Sequence, residues 1–211
     1  MTEIPGITPP VLAFAERVVA EGFTVFMPHF FGPPGKPLSV AYALGQIARV
    51  CISKEFSVLA ARASSPVTDW LRALCRHAHA ECGGPGVGAI GMCMTGNFAL
   101  SLMIDPSVMA PVLSQPSLPF GLTADRRAGI HLSDADLATV KARCAAGVPV
   151  LAMRYTEDPV CRPERFETLR RELGPAFEAI EIDSSPGNPW GIPKSAHSVV
   201  TNELVDREGQ Q

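Results

Sequence analysis

Cys93 is the residue of this sequence best placed for covalent chemistry. It stands in "AIGMCMTGNFAL", residues 89 to 100, after an apolar run and before another. "VGAI" reads as a short buried strand that runs into Gly91; Cys93 follows two residues later, and Thr95-Gly96 opens a helix. A G-x-nucleophile-x-G spacing between strand and helix makes a turn so sharp that the residues two before and two after the nucleophile nearly touch. Both should be small. Gly91 meets that demand; Thr95 does so incompletely, although Gly96 comes next. A helix N-terminus beneath a thiol favours the thiolate, which is the reactive form. A core cysteine on a glycine-bounded turn carries the same local signature, because cysteine is among the most buried residue types. The decision therefore rests on whether a base and an acid follow.

Only His131 and His197 lie after Cys93. His131 precedes the helix cap expected at Ser133, on a segment that reads as a solvated surface loop. His197, in "PKSAHSVV", follows the last strand candidate, where an enzyme built on such a turn places its base. The orienting acid should follow the strand before that. "VPVLAMRYTEDPV" ends in Glu157 and Asp158, and Asp158 is the expected acid, with Glu157 as runner-up. An acid before proline is also ordinary turn chemistry. The order nucleophile, acid, histidine is that of α/β-hydrolases, and three positions agreeing in order outweigh any one of them.

The elements that must position these residues alternate. Helical spacing with two prolines in the first turn predicts a helix over "PPVLAFAERVVAEGF", with Gly22 at its C-terminal cap. "FTVFM" reads as a short buried strand and "PHFFGPPGKP" as a loop, while residues 40 to 62 are ambiguous. Helices are expected in "VTDWLRALCRHAHAEC", "TGNFALSLMI", "SDADLATVKARCAAG" (capped by Ser133), "PERFETLRREL" and "SAHSVVTNELV". Strands are expected in "GVGAI", "SVMAPVLSQP", "VPVLAMRY" and "AFEAIEI". This alternation predicts an α/β fold with a mostly parallel sheet covered on both faces, its sites at the carboxyl ends of the strands.

Composition narrows the setting. The 211 residues suit a single domain spanning 1–211, and with 46% hydrophobic and 18% charged residues they suit a soluble globular one. A net charge of −3 without a basic stripe argues against nucleic acid as a partner. No apolar run is long enough to span a bilayer, and Glu16 and Arg17 interrupt the only candidate signal segment, so neither a membrane nor export is expected and the location reads as cytoplasmic. The six cysteines form no CxxC and no zinc-spaced cluster. His77 and His79 sit at i and i+2 on different helix faces, so no metal site is expected. His29, Phe30 and Phe31 could line a pocket as readily as pack locally, and Trp190 reads as a clamp on the loop carrying His197.

These residues resemble the dienelactone hydrolase family of α/β-hydrolases over nearly the whole chain. "IGMCMTG" is similar to that family's G-x-C-x-G-G elbow, "VPVLAMRYTEDPVCRPERF" to its acid loop, "AHSVV" to its histidine segment, and "EIPGI" to its E-I-x-G oxyanion loop. The resemblance implies a three-layer α/β-hydrolase sandwich and hydrolysis of a small carboxylic ester or lactone, with no metal or organic cofactor. It implies Cys93 as nucleophile, Asp158 as orienting acid and His197 as base, with the backbone N–H groups of Ile4 and Met94 as oxyanion hole. It implies that Glu3 hydrogen-bonds the resting thiol and gives way to substrate. Two positions depart from the family: Thr95 replaces its usual glycine, and Thr201 stands where an arginine often holds the substrate carboxylate, a role left to Lys54, Arg62 or Arg154.

Two other readings stay open: a catalytically silent relative acting as a binding module, and an amidotransferase-like cysteine hydrolase. The second needs a glutamate two residues after the histidine, where Val199 stands. An α/β-hydrolase also needs a buried strand before its oxyanion loop, yet "TEIPGI" begins at residue 2. The sheet is therefore expected to lack its N-terminal strand or strands. Either Met1 is not the natural start, or a second copy covers the exposed edges as a homodimer.

Overall fold

Short apolar runs bounded by glycine and proline become the strands of one parallel sheet. The computed structural model describes residues 1–52, 66–117 and 127–206. Among these the order is α1 (Pro9–Ala20), α2 (Val40–Ile52), α3 (Pro66–Cys82), β1 (Val87–Met92), α4 (Gly96–Leu102), β2 (Val108–Ser114), α5 (Asp134–Ala145), β3 (Val150–Tyr155), α6 (Pro163–Leu173) and β4 (Phe177–Ile182). The strands lie in the order β1-β2-β3-β4, every pair parallel. Parallel neighbours need crossover connections, and α4, α5 and α6 supply the bulk of them.

Side chains alternate across β3, and each set meets its own core. Val150 and Ala152 join a cluster with Leu113, Val140, Phe166 and Leu169, while Met153 and Tyr155 pack with Ile192, Ala196 and Val199. Both faces of the sheet are thus covered, as the alternation of elements predicts. The register brings the carboxyl ends level: Met92 pairs with Ser114, Ser114 with Met153, and Tyr155 with Ile182. Whatever follows each strand therefore emerges along one edge.

Local signals set the helix ends. Pro9 and Pro10 occupy the first turn of α1, and Ser133 caps α5 by accepting the Asp136 N–H at 3.1 Å. The ambiguous stretch from residue 40 is α2 as far as Ile52.

Two expected elements do not form. Residues 23–27 make no strand, and Phe23 and Thr24 are exposed. A strand needs a backbone neighbour, and none of the described strands pairs with this stretch; its Phe26 ring packs instead on His77. The final helix expected in "SAHSVVTNELV" is a series of turns. There the Glu203 carboxylate accepts the Ser198 N–H at 2.7 Å, and the Ser198 and Thr201 hydroxyls donate to Glu3. Side chains that capture local backbone and tertiary partners compete with helix formation, and β-branched Val199, Val200 and Thr201 weaken it further. Ahead of β1, the Met1 ammonium donates to the Ile90 carbonyl at 2.6 Å, which ties Met1 to that strand.

Candidate active site

Cys93 leaves β1 with φ +55°, in the left-handed region that a β-carbon disfavours. A 3-10 turn, Cys93–Thr95, carries the chain directly into α4. Gly91 is required by this turn: a β-carbon there would lie 2.1 Å from the Thr95 carbonyl oxygen. Thr95 is accommodated because its side chain points the other way. Its hydroxyl accepts the Met92 N–H at 3.0 Å and lies 3.0 and 3.2 Å from the Met1 and Thr2 carbonyls. The residue that departs from the expected glycine thus ties the N-terminal segment to the elbow.

His197 and Asp158 reach the same place from the far side of the sheet edge. Asp158 is buried in the turn after β3, where one oxygen accepts the Val160 and Cys161 N–H groups at 2.8 and 3.0 Å. Its other oxygen lies 2.7 Å from His197 Nδ1. Glu157, the alternative acid, pairs instead with Lys194 at 3.6 Å. The His197 Nε2 atom is buried without a hydrogen-bond partner. Burial works against charge on this ring, but the neighbouring Cys93 sulfur and the Asp158 carboxylate outweigh it, and its pKa is pushed from 6.5 up to about 11. Cys93 Sγ lies 3.3 Å from the Ser117 hydroxyl, and Cys93 packs against the cluster of Phe31 and Met94, as do Ile4 and Phe30.

The family model for the dienelactone hydrolases matches residues 1–197. The chain belongs to the dienelactone hydrolase family. Its fold is that of the α/β-hydrolases, and it is a hydrolase of the dienelactone hydrolase type, acting on a small-molecule substrate. No curated protein matches the chain.

Within this family member, residues 3–7 fold over the elbow. The Glu3 carbonyl accepts the Gly6 N–H at 2.8 Å, and Gly6, at φ +130°, presses so closely on Phe31 that a β-carbon would lie 2.3 Å from its carbonyl. Ile4 thereby joins Cys93 against the cluster of Phe31 and Met94. Glu3 itself does not hold the thiol, contrary to what the family resemblance implied. Its buried carboxylate accepts from Ser198 Oγ at 2.8 Å, Gln115 Nε2 at 3.1 Å, Asn202 Nδ2 at 3.4 Å and the Thr201 hydroxyl. Burial raises the Glu3 pKa, and the Thr201 and Ser198 hydroxyls pull it back. Three of these four donors, Ser198, Thr201 and Asn202, lie on the turns that carry His197, and the carboxylate faces them. Replacing Glu3 by alanine strands those donors. It should cost about 3 kcal/mol, or roughly 10 °C in melting temperature. An unchanged thermal melt would show that this network carries no stability.

Other expectations shift as well. His131 is buried, not solvated, with Nε2 3.2 Å from an Arg165 guanidinium nitrogen. Arg154 cannot stand in for a carboxylate-binding arginine, because it is buried between Glu181 at 2.9 Å and the carbonyls of Tyr155, Thr156 and Cys161. Lys54 and Arg62 lie outside the described residues. Asn188 clamps the loop before His197, donating to the Ser185 and Ile192 carbonyls and accepting the Trp190 and Ile192 N–H groups. His29 is exposed, and Phe31 is the ring buried beside Cys93. Among the described residues no three His, Cys, Asp or Glu side chains gather as a metal-holding group. No described helix is long and apolar enough to cross a membrane. The residues missed from the sequence are Gln115 and Ser117. Their signal was available, since "LSQPS" places polar side chains at the carboxyl end of a buried strand.

Proposed function

We propose that the chain hydrolyses carboxylic esters or lactones through Cys93, His197 and Asp158. The observation that carries this reading is the joining of three features: a strained nucleophile turn, a histidine charge-coupled to its sulfur, and a buried carboxylate 2.7 Å from the other ring nitrogen. The Cys93 sulfur attacks the carbonyl carbon, and the oxyanion is held by the Ile4 and Met94 N–H groups. The tetrahedral intermediate collapses with loss of the alkoxide, which takes the proton from His197 and leaves a thioester. His197 then removes a proton from water, hydroxide adds to the thioester, and the carboxylic acid departs as the sulfur is restored. Asp158 holds the ring and favours its charged form. The scheme calls on no metal or organic cofactor.

The surroundings favour an uncharged acyl group. Ile4, Phe30, Phe31 and Met94 are apolar, and the Thr201 hydroxyl is engaged by Glu3. A panel of p-nitrophenyl esters and lactones should therefore be turned over by the natural chain and not by Cys93→Ala. Substrates bearing a free carboxylate, dienelactone among them, should gain at least about tenfold in kcat/KM when the carboxylate is masked as a methyl ester, since an unpaired charge must shed its water to enter an apolar site. Equal turnover by Cys93→Ala would overturn the mechanism; a preference for the free acid would overturn only the substrate assignment.

A further inference from the structure

We propose that Ser117 is a further catalytic residue, whose hydroxyl donates to Cys93 Sγ and steadies the thiolate that attacks substrate. The proposal rests on Cys93 being the nucleophile. Ser117 directly follows the turn after β2, a position to which the triad assigns nothing. Its hydroxyl lies 3.3 Å from the sulfur, and among the described residues this is the hydroxyl's one hydrogen bond. On geometry alone either atom could donate. A thiolate can only accept, and the neighbouring His197, whose pKa is raised beside this sulfur, favours that form, so the hydroxyl is taken as donor.

The hydroxyl is aimed by a frame that fixes the backbone around it. The Ser117 N–H donates to the Cys93 carbonyl at 3.1 Å, and the Ser117 carbonyl accepts from Asn97 Nδ2 at 3.0 Å. Asn97 sits on α4, immediately after the elbow, and also donates to the Met94 carbonyl at 3.0 Å. Arg165 from α6 locks this frame by donating to Asn97 Oδ1 at 2.8 Å and to the Pro116 carbonyl at 2.9 Å. The Cys161 thiol donates to the same Pro116 carbonyl at 3.3 Å. Three elements thus converge to hold residues 116 and 117, and Ser117 is almost fully buried. Preorganised donors aimed at a charged sulfur need no rearrangement when the reaction begins.

A donor to the thiolate lowers the pH at which the sulfur ionises and slightly blunts its intrinsic reactivity. The test is the rate of iodoacetamide alkylation at Cys93, read by mass spectrometry of its peptide across pH. It compares the natural chain with Ser117→Ala, Ser117→Thr and His197→Ala. In Ser117→Ala the acidic limb should move up by about one pH unit. The profile should then cross that of the natural chain: about threefold slower on the acidic limb and about threefold faster on the alkaline plateau. Ser117→Thr, which keeps the hydroxyl, should restore the original limb. A merely structural serine would lower both limbs or neither. If Ala disturbs the fold, as a thermal melt would show, Ser117→Gly removes the hydroxyl and keeps both backbone bonds. A Ser117→Ala profile superimposed on that of the natural chain, with His197→Ala losing the acidic limb, overturns the role of Ser117 and leaves the hydrolase reading standing. A natural chain whose Cys93 behaves as a free thiol, unaffected by His197→Ala, overturns both.

Discussion

Cys93→Ser should fold as the natural chain does and lose about 10³-fold or more in kcat/KM toward p-nitrophenyl esters. The exchange is nearly isosteric, so the turn at φ +55° and the packing against Phe31 and Met94 survive it. The electrostatics do not. Against the cost of burial, the His197 ring is held up near 11 first by the Cys93 sulfur and then by Asp158. A serine hydroxyl carries no charge at neutral pH, so the larger of the two supports disappears. The ring should titrate far closer to its ordinary 6.5, which an NMR titration of the imidazole carbons would register. What remains is an oxygen nucleophile whose proton is several pH units harder to remove than a thiol's, in a site shaped around a charge pair. Equal turnover by the two proteins, or an unmoved His197 titration, would show that no thiolate operates here.

The legible parts of this molecule are those set by local sequence. Gly91, Cys93 and Gly96 announce a turn because steric demands act between residues only a few apart. The β-carbon clash of 2.1 Å at Gly91 is the physical form of that signal. The four strands were readable because parallel, doubly covered strands are apolar runs whatever their neighbours. That Asp158 and His197 would lie side by side was readable from their places after strands, because the carboxyl ends of a parallel sheet must share one edge. The failures lie where a distant partner decides. "FTVFM" has the composition of a strand but, among the described residues, no strand to pair with. His131 reads as a solvated loop residue until Arg165, 34 residues later, is found beside it. The helix expected after His197 loses to Glu3, which lies 195 residues before Ser198 and takes that side chain's hydrogen bond. Ser117 is half legible: its place at the carboxyl end of a buried strand can be read from "LSQPS", but the sulfur it faces, 24 residues away, cannot.

Asp158→Asn should be nearly as damaging as loss of the nucleophile, about 10³-fold in kcat/KM, although one atom changes and little packing is lost. The site dictates how the new amide lies. One Asp158 oxygen accepts two backbone N–H groups, from Val160 and Cys161. Asparagine can satisfy them only with its carbonyl oxygen, so its NH₂ must face His197 Nδ1. That NH₂ donates where the carboxylate accepted. It holds the neutral ring in the tautomer with hydrogen on Nε2 and opposes the second proton, which the carboxylate supported. His197 then meets Cys93 as a donor with no compensating anion behind it, and the thiolate pair weakens. The sign of the pH effect follows. A histidine whose folded pKa is raised contributes stability that is whole below 6.5 and is lost as the pH climbs toward about 11. In Asp158→Asn that window narrows from its upper end. The stability gap between the two proteins should therefore be full at pH 6.5 and close as the medium becomes alkaline. Denaturant melts at a series of pH values test this, and the activity assay tests the tautomer. A variant that keeps full activity, or a stability gap that grows with pH, would remove Asp158 from the mechanism.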